Sequence, residues 1–192
     1  MTGDGRTRKG NAGPPVWAVV GTERLQSCRV FDVSRAVSRS PRTGALHPFY
    51  RIDADAWVNV VTLTRSDELV MVRQYRHGAR EVTLEIPGGI VDTGESPEVA
   101  AARELLEETG YRGSRPVALG VVNPNPALFG NACYTFLIRD AERVADIRND
   151  LGTEETAVEL VPRSDLRRRL RSGEISHALV MAGLYWFELA GD

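Results

Sequence analysis

Apolar and β-branched residues cluster in short runs along this chain. AWVNVVTLT at residues 56–64 and ELVMVRQY at residues 68–75 flank the turn formers Arg65, Ser66 and Asp67. Runs of this length bounded by turn residues predict strands, and here a β-hairpin. Residues 81–86, 117–122, 133–139 and 158–161 predict further strands, with a loop at 123–131. Nearer the start, 17–20 and 28–33 read as short strands and 49–52 as extended chain. Three stretches read as helical: 98–109, 164–171 and 175–189. The first has the sharpest ends. Ser96 is a capping residue, Pro97 suits the first helical position, and Gly110 can adopt the left-handed conformation that stops a helix. The Gly-, Arg- and polar-rich residues 1–14 predict a disordered tail. Residues 15–55 predict N-terminal strands, and 56–189 the main domain. There is no internal repeat and no linker-like segment.

The helix at 98–109 carries more acid than stability alone would favour. Glu104 and Glu108 are four residues apart and share one face, and Glu107 flanks that face. Val99, Ala102 and Leu106 form a separate stripe expected to pack on a sheet, with Leu105 at the acidic edge. The carboxylates repel one another, and they sit near the helix C-terminus, where the dipole disfavours negative charge. A hard divalent cation bound through oxygen removes the conflict, and magnesium combines a few carboxylates with water and substrate phosphates. A merely solvated acidic face is the alternative for an isolated Glu-Glu pair.

The surroundings decide between these readings. In GIVDTGESPEVAAARELLEETGY, Gly89, Glu95, Arg103, Glu104, Glu107, Glu108 and Gly110 recur at fixed spacing, with apolar Leu105 and Tyr111 between and after them. Seven fixed letters arise by chance on the order of once in a hundred million starting positions. The segment resembles the Nudix box at every defining position. The resemblance implies an α/β/α sandwich with a mixed sheet, and metal-dependent hydrolysis of a nucleoside diphosphate linked to a second group. It implies Glu104 and Glu108 as main metal ligands, Glu107 close by, and the Gly88 carbonyl in the metal shell. The cation would be Mg²⁺, with Mn²⁺ as a substitute. Glu95 and Arg103 read as a site-orienting ion pair, since arginine cannot act as a base and pairs well with carboxylate. In relatives the general base often comes from a later loop. Gly152, Thr153, Glu154 and Glu155 occupy that place, making Glu154 or Glu155 the candidate.

The run VRQYR at residues 72–76 and the segment LEIPGG resemble the ADP-ribose pyrophosphatase group and its nucleoside-diphosphate-sugar relatives. Pro126 stands where that group places a proline beyond the box. The loop NPNPALFGN departs from the usual ADP-ribose form, which leaves ADP-ribose and other nucleotide sugars both open. Arg73, Tyr75 and Arg76 are the candidate substrate-binding residues. Arg73 and Arg76 point to opposite faces of a strand, and Arg76, nearer the strand's end, is the preferred diphosphate clamp. Residues 15–55 fit the extra strands that ADP-ribose-type relatives add, often at a dimer interface, so a homodimer is expected. A different nucleotide substrate, or an ADP-ribose-binding regulatory domain without turnover, are the alternatives. Complete box carboxylates favour catalysis over the second.

Composition narrows the setting. The chain has 192 residues, 42% hydrophobic and 26% charged, with a net charge of −2. That suits one globular domain and supplies no global positive field for nucleic acid or an anionic membrane. Of 24 basic residues only Lys9 is lysine. Arg167, Arg168 and Arg169, with Arg163 and Arg171, read as a solvated helix face. Cys28 and Cys133 match no zinc or disulfide spacing and read as buried free thiols. His47, His77 and His177 form no cluster. No apolar run reaches the ~20 residues of a membrane span. A cytoplasmic protein acting on a small nucleotide sugar is the expectation.

Overall fold

The computed structural model describes residues 13–147 and 155–191. Most of the predicted tail and the candidate base Glu154 therefore lie outside the described residues. The chain divides into two compact units, Met1–Ile52 and Asp53–Asp192.

The first unit holds a sheet of β1 (Ala18–Ser27), β2 (Asp32–Arg39) and β3 (Leu46–Asp53) in that order. The expected strand at 28–33 is instead mainly the turn between β1 and β2. Cys28 N–H donates to the Phe31 carbonyl at 2.9 Å, and the Ser27 hydroxyl donates to Asp32 at 2.6 Å. These local bonds outweigh the strand preference of Val30 and Phe31. Cys28 is consequently exposed rather than buried, whereas Cys133 is buried and burial pushes its thiol up to about 12. Strand β2 buries a row of small side chains, Ser34, Ala36 and Ser38, while β1 is exposed throughout. Trp17 makes edge contacts with His47 and Phe49 at 5.7 and 5.4 Å between ring centres.

The second unit is a mixed sheet with helices on both faces. Its strands are β4 (Trp57–Thr64), β5 (Glu68–Arg76), β6 (Glu81–Glu85), β7 (Gly88–Ile90), β8 (Tyr111–Arg112), β9 (Val117–Val122), β10 (Cys133–Arg143) and β11 (Thr156–Pro162). The helices are α1 (Pro97–Thr109), α2 (Leu166–Ser172) and α3 (Ala178–Ala190), with a 3-10 turn at Arg163–Asp165 before α2. Helix α3 starts three residues later than its apolar pattern suggests, because the His177 imidazole accepts from Leu179 N–H at 3.2 Å and caps it there. The expected β4–β5 hairpin forms, with Leu63 opposite Leu69.

Beyond that turn β4 and β5 part company. Strand β5 pairs with β6 and β11, while β4 pairs with β7 and runs parallel to β10. The chain at 81–90 thus crosses from β5 to β4, and the Val60 N–H donates to the Pro87 carbonyl at 2.8 Å midway. This crossing delivers Gly88 and Gly89 between the diverging strands.

Two apolar cores flank the sheet. On one face Val61, Leu69, Met71, Leu84 and Ile86 meet Leu166, Val180, Leu184 and Phe187. On the other, Val58, Val60, Phe136 and Ile138 meet Ala100, Ala101 and Leu105 of α1. The helix is rotated from the stripe expected of it. Ala100, Ala101, Leu105 and Thr109 are buried, and Val99 points outward. Small alanines let the α1 backbone come close to the sheet, and that closeness outweighs the extra burial that Val99 would offer.

Strand β9 meets α3 through Gly120, where a methyl group would overlap the indole of Trp186. A rigid ring cannot swing away as a flexible side chain could. Gly120→Ala should therefore destabilise the fold by about 1–3 kcal/mol, the usual cost of overpacking. Urea unfolding checks this, and an unchanged midpoint would show that β9 and α3 slide apart freely.

Candidate active site

Helix α1 begins and ends where its sequence signals lie. Ser96 has extended backbone and its hydroxyl accepts from Val99 N–H at 3.3 Å, with Pro97 at the first helical position. Gly110 adopts φ 73°, and its N–H donates to the Leu106 carbonyl at 2.8 Å. The Gly110 carbonyl in turn accepts from Val144 and Ala145.

Because α1 buries Ala101 and Leu105, the neighbouring acidic row turns toward β7 instead of into solvent. The Gly88 N–H donates to a Glu108 carboxylate oxygen at 3.0 Å. The Glu104 carboxylate lies against Gly89, in the space any side chain there would fill. Gly88 is equally constrained, since a methyl on it would strike the Val58 carbonyl. Adjacent residues of one short strand therefore receive the two carboxylates expected to ligate metal. The structure brings Gly88, Gly89, Glu104 and Glu108 together.

Arg103 organises the rest. Its guanidinium binds both oxygens of Glu95 at 3.0 and 2.9 Å, Glu104 at 2.8 Å, Glu107 at 3.1 Å and the Ile90 carbonyl at 3.0 Å. Those acceptors, Glu95 foremost, raise the arginine's pKa further. Glu95 is held below the ordinary carboxylate range, chiefly by Arg103. Glu104 moves the other way. Burial raises it, nearby Arg103 opposes this, and Glu107 adds to the rise. A partly desolvated carboxylate beside like charge is what an added cation relieves.

Among the described residues no three His, Cys, Asp or Glu side chains already converge as a closed metal cage. The arrangement is an open one, two carboxylates against a glycine strand with Glu107 beside them. It suits a hard cation that completes its shell with water and phosphate oxygens.

The substrate candidates separate. Arg76 grips Glu85 through two bonds of 2.8 and 2.7 Å, and the Thr83 hydroxyl donates to the same carboxylate at 2.6 Å. Glu85 is 2% exposed. Burial would raise its pKa, but the bonds from Arg76 and Thr83 hold it below the usual range. Cross-strand register puts Glu85 opposite Val72 and Thr83 opposite Gln74. All of these lie on the α1 face. Arg73 sits on the other face, bound to Glu159 at 2.6 Å and Glu174 at 2.8 Å. Arg169 joins the same two acids and Asp165. Arg73 is thus part of an ion-pair network with α2, away from the box carboxylates. Tyr75 is 48% exposed and touches His77 edge-on. Glu155 is exposed just before β11.

Two partners were not singled out by sequence reasoning. Glu85 pairs with Arg76, and Thr156 donates its hydroxyl to the Glu108 carbonyl at 2.8 Å. Strand register could have found the first. Nothing in composition marks the second.

Comparison with known proteins agrees with this geometry. A NUDIX domain profile matches residues 55–182. The ADP-sugar pyrophosphatase of Mus musculus is 34% identical over 146 residues, covering 72% of this chain and 66% of that protein. The ADP-ribose pyrophosphatase of Mycobacterium tuberculosis is 27% identical over 168 residues, covering 86% of this chain and 80% of that protein. A crystal structure of an ADP compounds hydrolase matches the fold with a TM-score of 0.79 at 20% identity, over 93% of this chain and 95% of that one. Nudix hydrolases generally use divalent metal ions. With the profile spanning most of the chain and the box geometry in place, this protein belongs to the Nudix family.

Proposed function

We propose that this protein is an Mg²⁺-dependent pyrophosphohydrolase of ADP-ribose or a related nucleoside diphosphate sugar. The observation that carries the reading is the delivery of Glu104 and Glu108 to Gly89 and Gly88. Two relatives, an ADP-sugar pyrophosphatase and an ADP-ribose pyrophosphatase, support the substrate class. Water adds to one phosphorus, the bridging P–O bond breaks, and a nucleoside monophosphate and a sugar phosphate leave.

Glu104 and Glu108, with the Gly88 carbonyl, would hold Mg²⁺ or Mn²⁺, and Glu107 would take part beside them. The bound cation supplies charge neutralisation for the diphosphate oxygens and acidifies water at the site. Glu154 or Glu155 receives the proton of the attacking water as general base. Glu95 and Arg103 hold the acidic row in place. Arg76, oriented by Glu85, lies on the face that α1 covers and would lend its positive charge to a phosphate there. Tyr75, two residues from Arg73 on the same strand, shares Arg73's face and stands outside this constellation. Arg73 takes no part, because its partners hold it on the other face.

We place the protein in the cytoplasm. Cys28 and Cys133 are unpaired, and among the described residues no helix is long and apolar enough to cross a membrane. We also propose a homodimer built through the N-terminal sheet. Val19, Val20, Leu25, Leu46, Phe49 and Tyr50 are each 44–59% exposed there, and apolar clusters of this kind mark association surfaces.

Three outcomes are expected. A screen of nucleotide sugars and nucleoside triphosphates with Mg²⁺, read as monophosphate release, should show turnover of the diphosphate sugars. Activity confined to triphosphates would reject the substrate class. Glu108→Gln keeps an oxygen to accept from Gly88 but removes the charge. It should lower kcat by about 10²-fold or more with the melting temperature unchanged, and wild-type turnover would reject the metal role. Sedimentation of the wild type should give twice the 21.1 kDa chain mass. Val19→Glu with Leu46→Glu should give the monomer, and a monomeric wild type would remove the dimer from the reading.

A further inference from the structure

Glu108 is anchored twice, from two distant parts of the chain. Its carboxylate accepts from Gly88 N–H at 3.0 Å, and its carbonyl accepts the Thr156 hydroxyl at 2.8 Å. That carbonyl belongs to the last turn of α1, where helix geometry leaves carbonyls without an internal partner. Other groups of this turn are satisfied close by. Thr109 donates its hydroxyl to Leu105, and Gly110 donates its N–H to Leu106. The bond from Thr156 is different, because it arrives 48 residues later in the chain.

Thr156 opens β11, and the ladder places it opposite Gln74 of β5. Thr83 of β6 lies on the other side of the same Gln74. Thr83, Gln74 and Thr156 therefore form a polar row across three strands, on the face that α1 covers. Gln74 is 4% exposed. Paired to β5, Thr156 is a fixed point, and its hydroxyl ties the end of α1 to the sheet. Directly before it stands Glu155.

We propose that Thr156 is a positioning residue. Its hydroxyl holds the final turn of α1 so that Glu108 meets Gly88, and it keeps that turn in register with Glu155, the residue directly before it in the chain. The catalytic part of this inference rests on the hydrolase reading above. The structural part, the hold on Glu108, does not.

Thr156→Val preserves shape and strand preference but removes the donor, and Thr156→Ser restores the donor without the methyl group. With a diphosphate sugar and Mg²⁺, Thr156→Val should lower kcat about tenfold and leave KM within about twofold, while Thr156→Ser stays near wild type. In the metal-free protein, hydrogen exchange followed by NMR should show the Gly88 amide exchanging about tenfold faster in Thr156→Val and at the wild-type rate in Thr156→Ser. Amides in the centre of β10 report global stability in the same spectra. Gly88 exchange that is unchanged, or that rises only in step with β10, would overturn the proposal. So would equal losses in the Val and Ser variants, since Ser keeps the donor and its loss would show that the hydroxyl bond is not what holds the turn. A wild type inactive on every diphosphate sugar would sink the hydrolase reading alone, since Gly88 exchange would still decide the role of Thr156.

Discussion

The contact on which the site depends is that of α1 with a strand that has no side chains at two successive positions. A carboxylate cannot approach a β-strand closely if a Cβ stands in its way. At Gly89 the space that a Cβ would take is filled by Glu104, and at Gly88 it is taken by the Val58 carbonyl. The first glycine admits the acid, and the second lets β7 seat against β4, so that the Gly88 N–H faces Glu108. Divergence of β4 from β5 opens the sheet for this crossing strand. Alanines at 100 and 101 bring the helix down onto it. Fold and site are thus one packing problem.

The electrostatics follow from that packing. Arg103 offers a single positive charge to Glu95, Glu104 and Glu107, with Glu108 on the next part of the turn. One guanidinium cannot neutralise them all. Glu95 takes two of its bonds and is held ionised, whereas Glu104, desolvated and beside Glu107, is shifted toward its protonated form. The cluster is therefore stabilised on its outer side by arginine and left electron-rich toward β7. By itself this polarity repels a phosphoanhydride; it suits one only through a divalent cation that the carboxylates would hold, since charge stabilisation and positioning do most of the work in phosphoryl transfer.

Much of this was legible in the sequence, for physical reasons. The caps of α1 are local chemistry, so Ser96, Pro97 and Gly110 announced its ends. Strand β4 and the first half of β5 are mostly apolar because both of their faces are buried there. The rotation of α1 was not legible, because it depends on how closely alanine lets the helix approach, a tertiary property. The turn at 28–31 was missed because Val30 and Phe31 favour strands, and only Ser27 and Asp32 hinted at a local bridge. Register decided the fate of the arginines. Arg73 and Arg76 stand three positions apart, which sends one to α2's network and the other to Glu85. Thr156 is invisible in one dimension, since its importance is a bond to a backbone atom far earlier in the chain.

The box residues are so fully occupied with one another that they cannot also read the substrate's sugar or base. Arg103 is committed to four acceptors, and Glu108 is pinned at both ends. Selectivity must therefore come from groups around this constellation. Arg76 is paired with the buried carboxylate of Glu85, which balances part of its charge and fixes its direction. The loop at 123–131 is also braced. Asn131 donates to the Asp55 carbonyl at 2.8 Å, Asn123 donates to Asn131, and Phe129 packs on Trp57 with ring centres 5.8 Å apart. A loop held this way presents a fixed surface, and its departure from the usual ADP-ribose form would act through shape. The chemistry of cleavage and the choice of nucleotide sugar are then written in separate segments, which lets one change while the other stays.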